Sequence, residues 1–220
     1  MSKVIYFYGV MKASKTAQLL TMNYNYKKHG VEPVILKTAK DNKRNKVTSR
    51  LGLSAKADFS VNDFFSSPRQ QDVKIRNIIN RASKANSKVI LVDEAQFFSV
   101  DFIEQLVKEC RLNDIELYGF GLLKDFRGNL FAGAKKWIEC ADSIREVKTT
   151  CELCNHKATC NALEDKDGKL VKETFNKEDN FSNVIIGDTE YHVYCQEHML
   201  YKYIIDGFAY EGKSEVTNGQ

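Results

Sequence analysis

An apolar run, Lys3–Tyr8, breaks at Gly9, and six residues later Lys15-Thr16 opens a helical stretch. A short buried strand that passes through a tight loop into a helix leaves few architectures open. The strand must pair within a sheet, and the helix must pack back across it. The loop itself, Gly9-Val10-Met11-Lys12-Ala13-Ser14-Lys15-Thr16, follows the spacing of a phosphate-binding loop: glycine, four residues, glycine, Lys, then Ser or Thr. In such a loop the backbone N–H groups and the positive end of the following helix cradle phosphate oxygens. Lys15 then neutralises the outer phosphates, and the Thr16 hydroxyl can ligate Mg²⁺. One element differs, since Ser14 occupies the second glycine position. If the backbone at Ser14 takes a positive φ, its Cβ costs about 1 kcal/mol. The plainer alternative is an ordinary strand–turn–helix with an accidental Lys-Thr.

The rest of the chain repeats the alternation. Val31–Thr38, Lys88–Val92, Ile115–Leu122 and Ser143–Lys148 read as further strands. Lys15–His29 carries Leu19, Leu20 and Met22 and stops before Gly30, and Asp101–Leu112 follows a capping Ser99 with Phe102, Leu106 and Val107 at helical spacing. Strands alternating with helices predict an α/β fold, a mostly parallel sheet with helices on both faces. At 220 residues, 43% hydrophobic and 28% charged, the chain suits one full domain with a small appendage. The net charge of +4 fits an anionic small molecule as well as nucleic acid. No run of about 18 apolar residues argues for a membrane span. The first strand begins directly after Met1, which speaks against a secretion signal and for the cytoplasm.

A second half-site follows the strand Val89–Val92, which runs into Asp93-Glu94-Ala95-Gln96. An acid at the carboxyl end of a parallel strand is placed to hold Mg²⁺, directly or through water, and that is the role expected for Asp93. Glu94 beside it can take a proton from an attacking hydroxyl. Strand-ending acids also occur as solvated caps, but the order of the two motifs favours a nucleotide site.

The pattern changes near Thr149. Cys151 and Cys154, then Cys195 and His198 after 40 intervening residues, form two pairs at metal-ligand spacing. Three thiolates and one imidazole complete a tetrahedral structural zinc site with no position left open for catalysis. Cys110, Cys140 and Cys160 fall outside this pattern, and His29, His156 and His192 have no evident partners. The expected division is 1–148 for the nucleotide-binding unit, 149–206 for the zinc-binding unit and 207–220 for a disordered tail. Within the second unit, Glu164–Asn180 is charged and Asn-containing and is expected to be a long, mobile loop.

Taken together, these residues resemble the zinc-containing family of thymidine kinases from Lys3 to about Tyr203. Gly9–Thr16 corresponds to that family's phosphate loop, and Asp93-Glu-Ala-Gln-Phe-Phe98 matches its second motif outright. Leu122-Leu-Lys-Asp-Phe-Arg-Gly128 with Phe131, then Ile185-Ile-Gly187 with Tyr191, are similar to its third motif and to its thymidine-covering lasso loop. The resemblance implies a phosphate-loop parallel sheet flanked by helices, with a small zinc-binding lasso domain. It implies transfer of the ATP γ-phosphate to the 5′-hydroxyl of deoxythymidine, with deoxyuridine as a further acceptor left open. By position, Glu94 is the base, and Gly9 to Thr16 with Asp93 and Gln96 serve ATP and Mg²⁺. Met11, Phe97, Leu122, Phe126, Phe131 and Tyr191 would surround the thymine, while Cys151, Cys154, Cys195 and His198 bind Zn²⁺. An aromatic and thioether pocket suits a flat methylated base. The implied partners are ATP and deoxythymidine, with no nucleic acid or membrane, in a homotetramer. The chain departs from the family at Val10, Ser14, Asn42-Lys43-Arg44, Leu123, Leu163 and Ile186.

Those departures motivate one competing reading, a relative that binds nucleotide but turns over weakly. A nucleic-acid-dependent ATPase is a second, because Asp-Glu-Ala-Gln also occurs in helicases, although such enzymes need more chain than this. A zinc-ribbon nucleic-acid binder is a third, and it leaves Lys15 and Glu94 without a purpose.

Overall fold

The computed structural model describes residues 2–39, 45–62, 67–84, 87–171 and 190–205. In chain order the first unit comprises β1 (Val4–Tyr8), α1 (Lys15–Lys28), β2 (Val34–Thr38), β3 (Lys46–Thr48), β4 (Ser54–Lys56), β5 (Phe59–Val61), α2 (Pro68–Lys84), β6 (Val89–Val92), α3 (Val100–Leu112), β7 (Glu116–Gly121), α4 (Ala132–Cys140) and β8 (Ser143–Glu146). Six of these strands build one sheet in the order β5-β2-β6-β7-β1-β8, and every pairing in it is parallel. The expected α/β architecture is therefore present.

Both faces of the sheet are covered. Val4 and Tyr6 of β1 pack with α2, α3 and α4, while Ile5 and Phe7 pack with α1 on the opposite face. That two-sided burial is why the strands read as continuous apolar runs rather than alternating ones. Ser99 caps α3 as expected, its side chain accepting from the Phe102 amide.

The reading of the sequence has no counterpart to α2, yet the signal is present. Pro68 takes the first helical position, Ser67 and Gln70 bond reciprocally through side chain and amide, and Gln71, Ile75, Ile78, Ile79 and Ala82 form the buried stripe.

The second unit contains β9 (Cys160–Glu164), β10 (Glu190–Tyr194) and α5 (Gln196–Ile205). Strands β9 and β10 pair antiparallel, with Tyr191 opposite Leu163. Its apolar centre is small: Cys151, Ala162, Tyr194, Cys195 and Met199. The expected long loop from Glu164 begins as ordered structure instead. Glu164 is buried at the end of β9, accepting from the Tyr194 hydroxyl at 2.6 Å and pairing with Lys202 at 3.0 Å. A turn closed by the Asp165 carboxylate then brings Leu170 back opposite Glu164. Charge at Glu164 signals a loop only until a buried hydroxyl and ammonium are there to satisfy it. The remainder of that stretch, the Ile185-Ile186-Gly187 segment, Asp41–Arg44 and the 207–220 tail lie outside the described residues. Among the described residues, no helix is long and apolar enough to cross a membrane.

Candidate active site

Strands β6, β7 and β1 are neighbours, so their carboxyl ends bring Asp93, Leu122 and Gly9 to one edge of the sheet. At Gly9 a Cβ would lie 2.4 Å from the Val147 carbonyl oxygen, so no larger residue fits where the loop leaves β1. Two non-glycine residues of the loop take the left-handed conformation, Lys12 at φ 60° and Ser14 at φ 58°. The condition attached to Ser14 is thus met, and each position costs about 1 kcal/mol. The loop then passes into α1, where the Ser14 carbonyl accepts the Gln18 amide at 3.0 Å.

The Lys15 ammonium folds over the loop and donates to the carbonyls of Val10 at 2.7 Å and Gly9 at 3.2 Å. Burial lowers its pKa to about 8, against the upward pull of Glu94 and Asp93. The Thr16 hydroxyl donates to Asp93 at 3.1 Å, which sets a hydroxyl and a carboxylate oxygen side by side at the loop's end. Asp93 is raised to about 7, first by burial and then by the Glu94 charge. Three ionisable groups are thus crowded beside the phosphate loop, Asp93 buried and Lys15 and Glu94 half-buried, an arrangement that suits a polyanion with its cation.

Glu94 also takes a left-handed conformation, φ 50°, immediately before a single 3-10 turn, Ala95–Phe97. Its carboxylate accepts from the Gln96 side-chain nitrogen at 2.8 Å, and the Gln96 side-chain oxygen accepts the Leu122 amide at 2.9 Å. Gln96, expected on the ATP side, is instead buried behind the site and outside the cavity wall. Its role in the geometry is to orient Glu94. Gly121 permits this, because a Cβ there would come within 2.5 Å of the Gln96 side-chain oxygen. Gly9 and Val10 likewise stay off the wall and meet Lys15 through their carbonyls.

One cavity of about 590 Å³ joins the two ends of the site. Met11, Lys12, Ala13, Ser14, Lys15, Thr16, Asp93 and Glu94 line it together with all six of the apolar candidates, Met11, Phe97, Leu122, Phe126, Phe131 and Tyr191. The aromatic end is built edge to face: Phe97 against Phe131 at 5.5 Å and Phe126 against Tyr191 at 6.5 Å. Tyr191 arrives from β10, so the second unit closes this wall.

Two further residues on the wall escaped the sequence reading. Arg50, exposed at the turn between β3 and β4, lies close enough for its charge to act on Lys15. Asn161 of β9 is buried, and both ends of its amide are used, as described below. The two departures at Leu123 and Leu163 do not reach into the cavity. Leu123 packs against the main core, and Leu163 is buried in β9.

The second constellation is also assembled. One ligand-capable atom from each of Cys151, Cys154, Cys195 and His198 lies within 4.8 Å of the others. The Cys154–Cys195 sulfur separation is 3.9 Å, and His198 Nδ1 is 3.2 Å from Cys195 Sγ and 3.6 Å from Cys151 Sγ. The cluster can hold a metal ion. His192, which had no partner in the sequence, bonds Glu152 at 2.6 Å and stacks on Tyr194.

The profile of the thymidine kinase family matches residues 2–199. Thymidine kinase of Vibrio vulnificus is 33% identical over 201 residues, covering 90% of this chain and 96% of that one. The thymidine kinase of Rhodopirellula baltica is 31% identical over 90% of this chain and 88% of its own length. That of enterobacteria phage T4 is 31% identical, over 90% and 95% respectively. A match across nearly the whole length of both partners, with the motifs converging on one cavity, leads to one conclusion: the chain belongs to the thymidine kinase family.

Proposed function

We propose that the protein transfers the γ-phosphate of ATP to the 5′-hydroxyl of deoxythymidine, with Glu94 as general base. The observation that carries this reading is the single cavity that has the phosphate loop and Glu94 at one end and an aromatic wall at the other. The 5′-oxygen attacks the γ-phosphorus while its proton passes to the Glu94 carboxylate. The bond from the γ-phosphorus to the β–γ bridging oxygen breaks, and ADP leaves with that electron pair. Gln96 keeps Glu94 aimed, by the 2.8 Å bond to its carboxylate. Lys15 exchanges its loop carbonyls for phosphate oxygens, and at this half-buried position its charge counts for more than in open water.

Thr16 and Asp93 fit Mg²⁺, since a hydroxyl and a carboxylate oxygen, both donors that this ion prefers, already stand 3.1 Å apart. Bound there, the ion neutralises charge on the transferred phosphate. The Cys151, Cys154, Cys195 and His198 cluster fits Zn²⁺, because tetrahedral bonds of about 2.3 Å to sulfur place two thiolates about 3.8 Å apart, close to the 3.9 Å between Cys154 and Cys195. Its part is structural: it fixes the two strands that carry Asn161 and Tyr191. The aromatic wall takes the thymine ring, and a cytoplasmic homotetramer acting without nucleic acid completes the reading.

The base assignment has a direct test. Glu94→Gln keeps the size and leaves an amide, so ATP and thymidine affinities stay within about threefold while turnover drops at least ~10²-fold. Calorimetry and initial rates on the same preparation read both, and turnover at the parental level removes Glu94 from the role.

A further inference from the structure

Resting on the kinase reading of this cavity, we infer that Asn161 of the second unit is a positioning residue that holds the phosphate loop in its binding conformation. Asn161 lies in β9, 150 positions from Met11, and its side-chain oxygen accepts the Met11 amide at 2.7 Å. Its side-chain nitrogen donates to the Lys124 carbonyl at 2.8 Å, in the segment between Leu122 and Asp125 that also lines the cavity. Both ends of one buried amide therefore join three separated segments: the phosphate loop, the aromatic wall and β9. The side chain is 4% exposed, and one bond at its oxygen and one at its nitrogen fix the plane of the amide.

The loop is the part that needs holding. Lys12 and Ser14, two of its residues, sit at positive φ without being glycine. Strained backbone of this kind persists only where the surroundings over-determine it. Inside the first unit the loop is tied through Lys15 to its own carbonyls and, at its last residue, through Thr16 to Asp93, and neither bond is made by Met11, Lys12 or Ser14. The second unit supplies the outside ties on consecutive residues. Met11 is bonded by Asn161, and the Lys12 ammonium pairs with Glu152 at 2.7 Å, between the ligand candidates Cys151 and Cys154. Glu152 is half-exposed, so its pair is worth little by itself. The Met11 bond is shielded, and its loss would strand an amide in the cavity wall. The unit that closes over the thymine end thereby also shapes the phosphate end.

The test uses the full-length protein and ATP alone, in the absence of nucleoside, so that a failure of the kinase assignment does not affect it. Asn161→Leu removes both bonds at similar volume. The expected result is ATP binding weakened about tenfold or more, faster hydrogen exchange at the Met11 amide, and a thermal midpoint within a few degrees of the parent. Asn161→Asp keeps an acceptor for the Met11 amide, loses the donor to Lys124 and adds a negative charge, so the comparison is made without ATP, where its Met11 amide stays protected. ATP affinity within twofold of the parent in Asn161→Leu overturns the inference, and so does loss of Met11 protection in Asn161→Asp. Should Asn161→Leu fail to fold, the exchange measurement on Asn161→Asp decides alone.

Discussion

The two ends of this molecule hold their functional groups by opposite means. The phosphate end rests on a six-stranded sheet buried on both faces, and it uses that stability to sustain three left-handed non-glycine residues, Lys12, Ser14 and Glu94, beside shifted Lys15 and Asp93. The metal end has two strands, one helix and an apolar centre of five residues. A core that small gives a unit little order of its own, and four candidate ligands brought within 4.8 Å are placed to add a cross-link when a metal binds. Strain is tolerable where packing is deep. Where packing is shallow, a metal bound there would supply order, and the aromatic wall that Tyr191 completes would share it.

The largest expected effect therefore comes from the shallow end. Stripping metal with a chelator should weaken thymidine binding by ~10²-fold or more while the six-stranded unit stays folded. ATP binding should weaken less, through the Met11 and Lys12 ties alone. Circular dichroism with two ligand titrations reads the difference, and equal loss of both ligands together with the helical signal would erase the contrast between the ends. Next in size, Lys15→Met should cost ATP affinity about 10- to 100-fold, the worth of a charge-assisted contact, and leave thymidine affinity nearly unchanged.

A smaller effect follows from the depressed Lys15. Its folded-state pKa of about 8 means that the ammonium is present below that pH and lost above it. ATP affinity of the free protein should then fall several-fold between pH 7 and 9.5, and Lys15→Met should lose that fall and keep only what Asp93 contributes near pH 7. A parental profile that falls no more than that of Lys15→Met would separate Lys15 from phosphate recognition. Smallest is Ser14→Gly. Removing the Cβ at φ 58° should add about 1 kcal/mol, and no capping bond is lost, because the Ser14 side chain makes none. A rise of about 2–4 °C in Tm is the expectation for a chain of this size.

The same contrast explains what the sequence could and could not reveal. The inner strands were legible because two-sided burial writes itself as short runs such as Val89–Val92, all four of them buried, whereas the part-buried edge strand Phe59–Val61 has no counterpart in the sequence reading. The motif residues were legible because their chemistry requires fixed spacing, from Gly9 to Thr16 and from Asp93 to Gln96. Gln96 shows the limit of that reasoning. Its place in the motif was plain, but the direction of its side chain depended on Gly121 in another strand. Arg50 and Asn161 left no local trace, since a hairpin turn and a second sheet carry them to the cavity from distant parts of the chain. Glu164 misled because a charged residue reads as exposed until its buried partners, Tyr194 and Lys202, are seen. The α2 helix is a different case. Its Ser67, Pro68 and Gln70 start signal is local and readable, but charged residues dilute the stripe behind it.

The claim on which the rest depends is that the phosphate leaves ATP for a nucleoside. It is tested most directly by incubating the protein with Mg²⁺ and γ-labelled ATP, with each deoxynucleoside in turn and with single-stranded DNA. The expected result is label in thymidine 5′-monophosphate, and little or no free labelled phosphate. Label released only as inorganic phosphate, stimulated by the DNA strand and indifferent to thymidine, would contradict it.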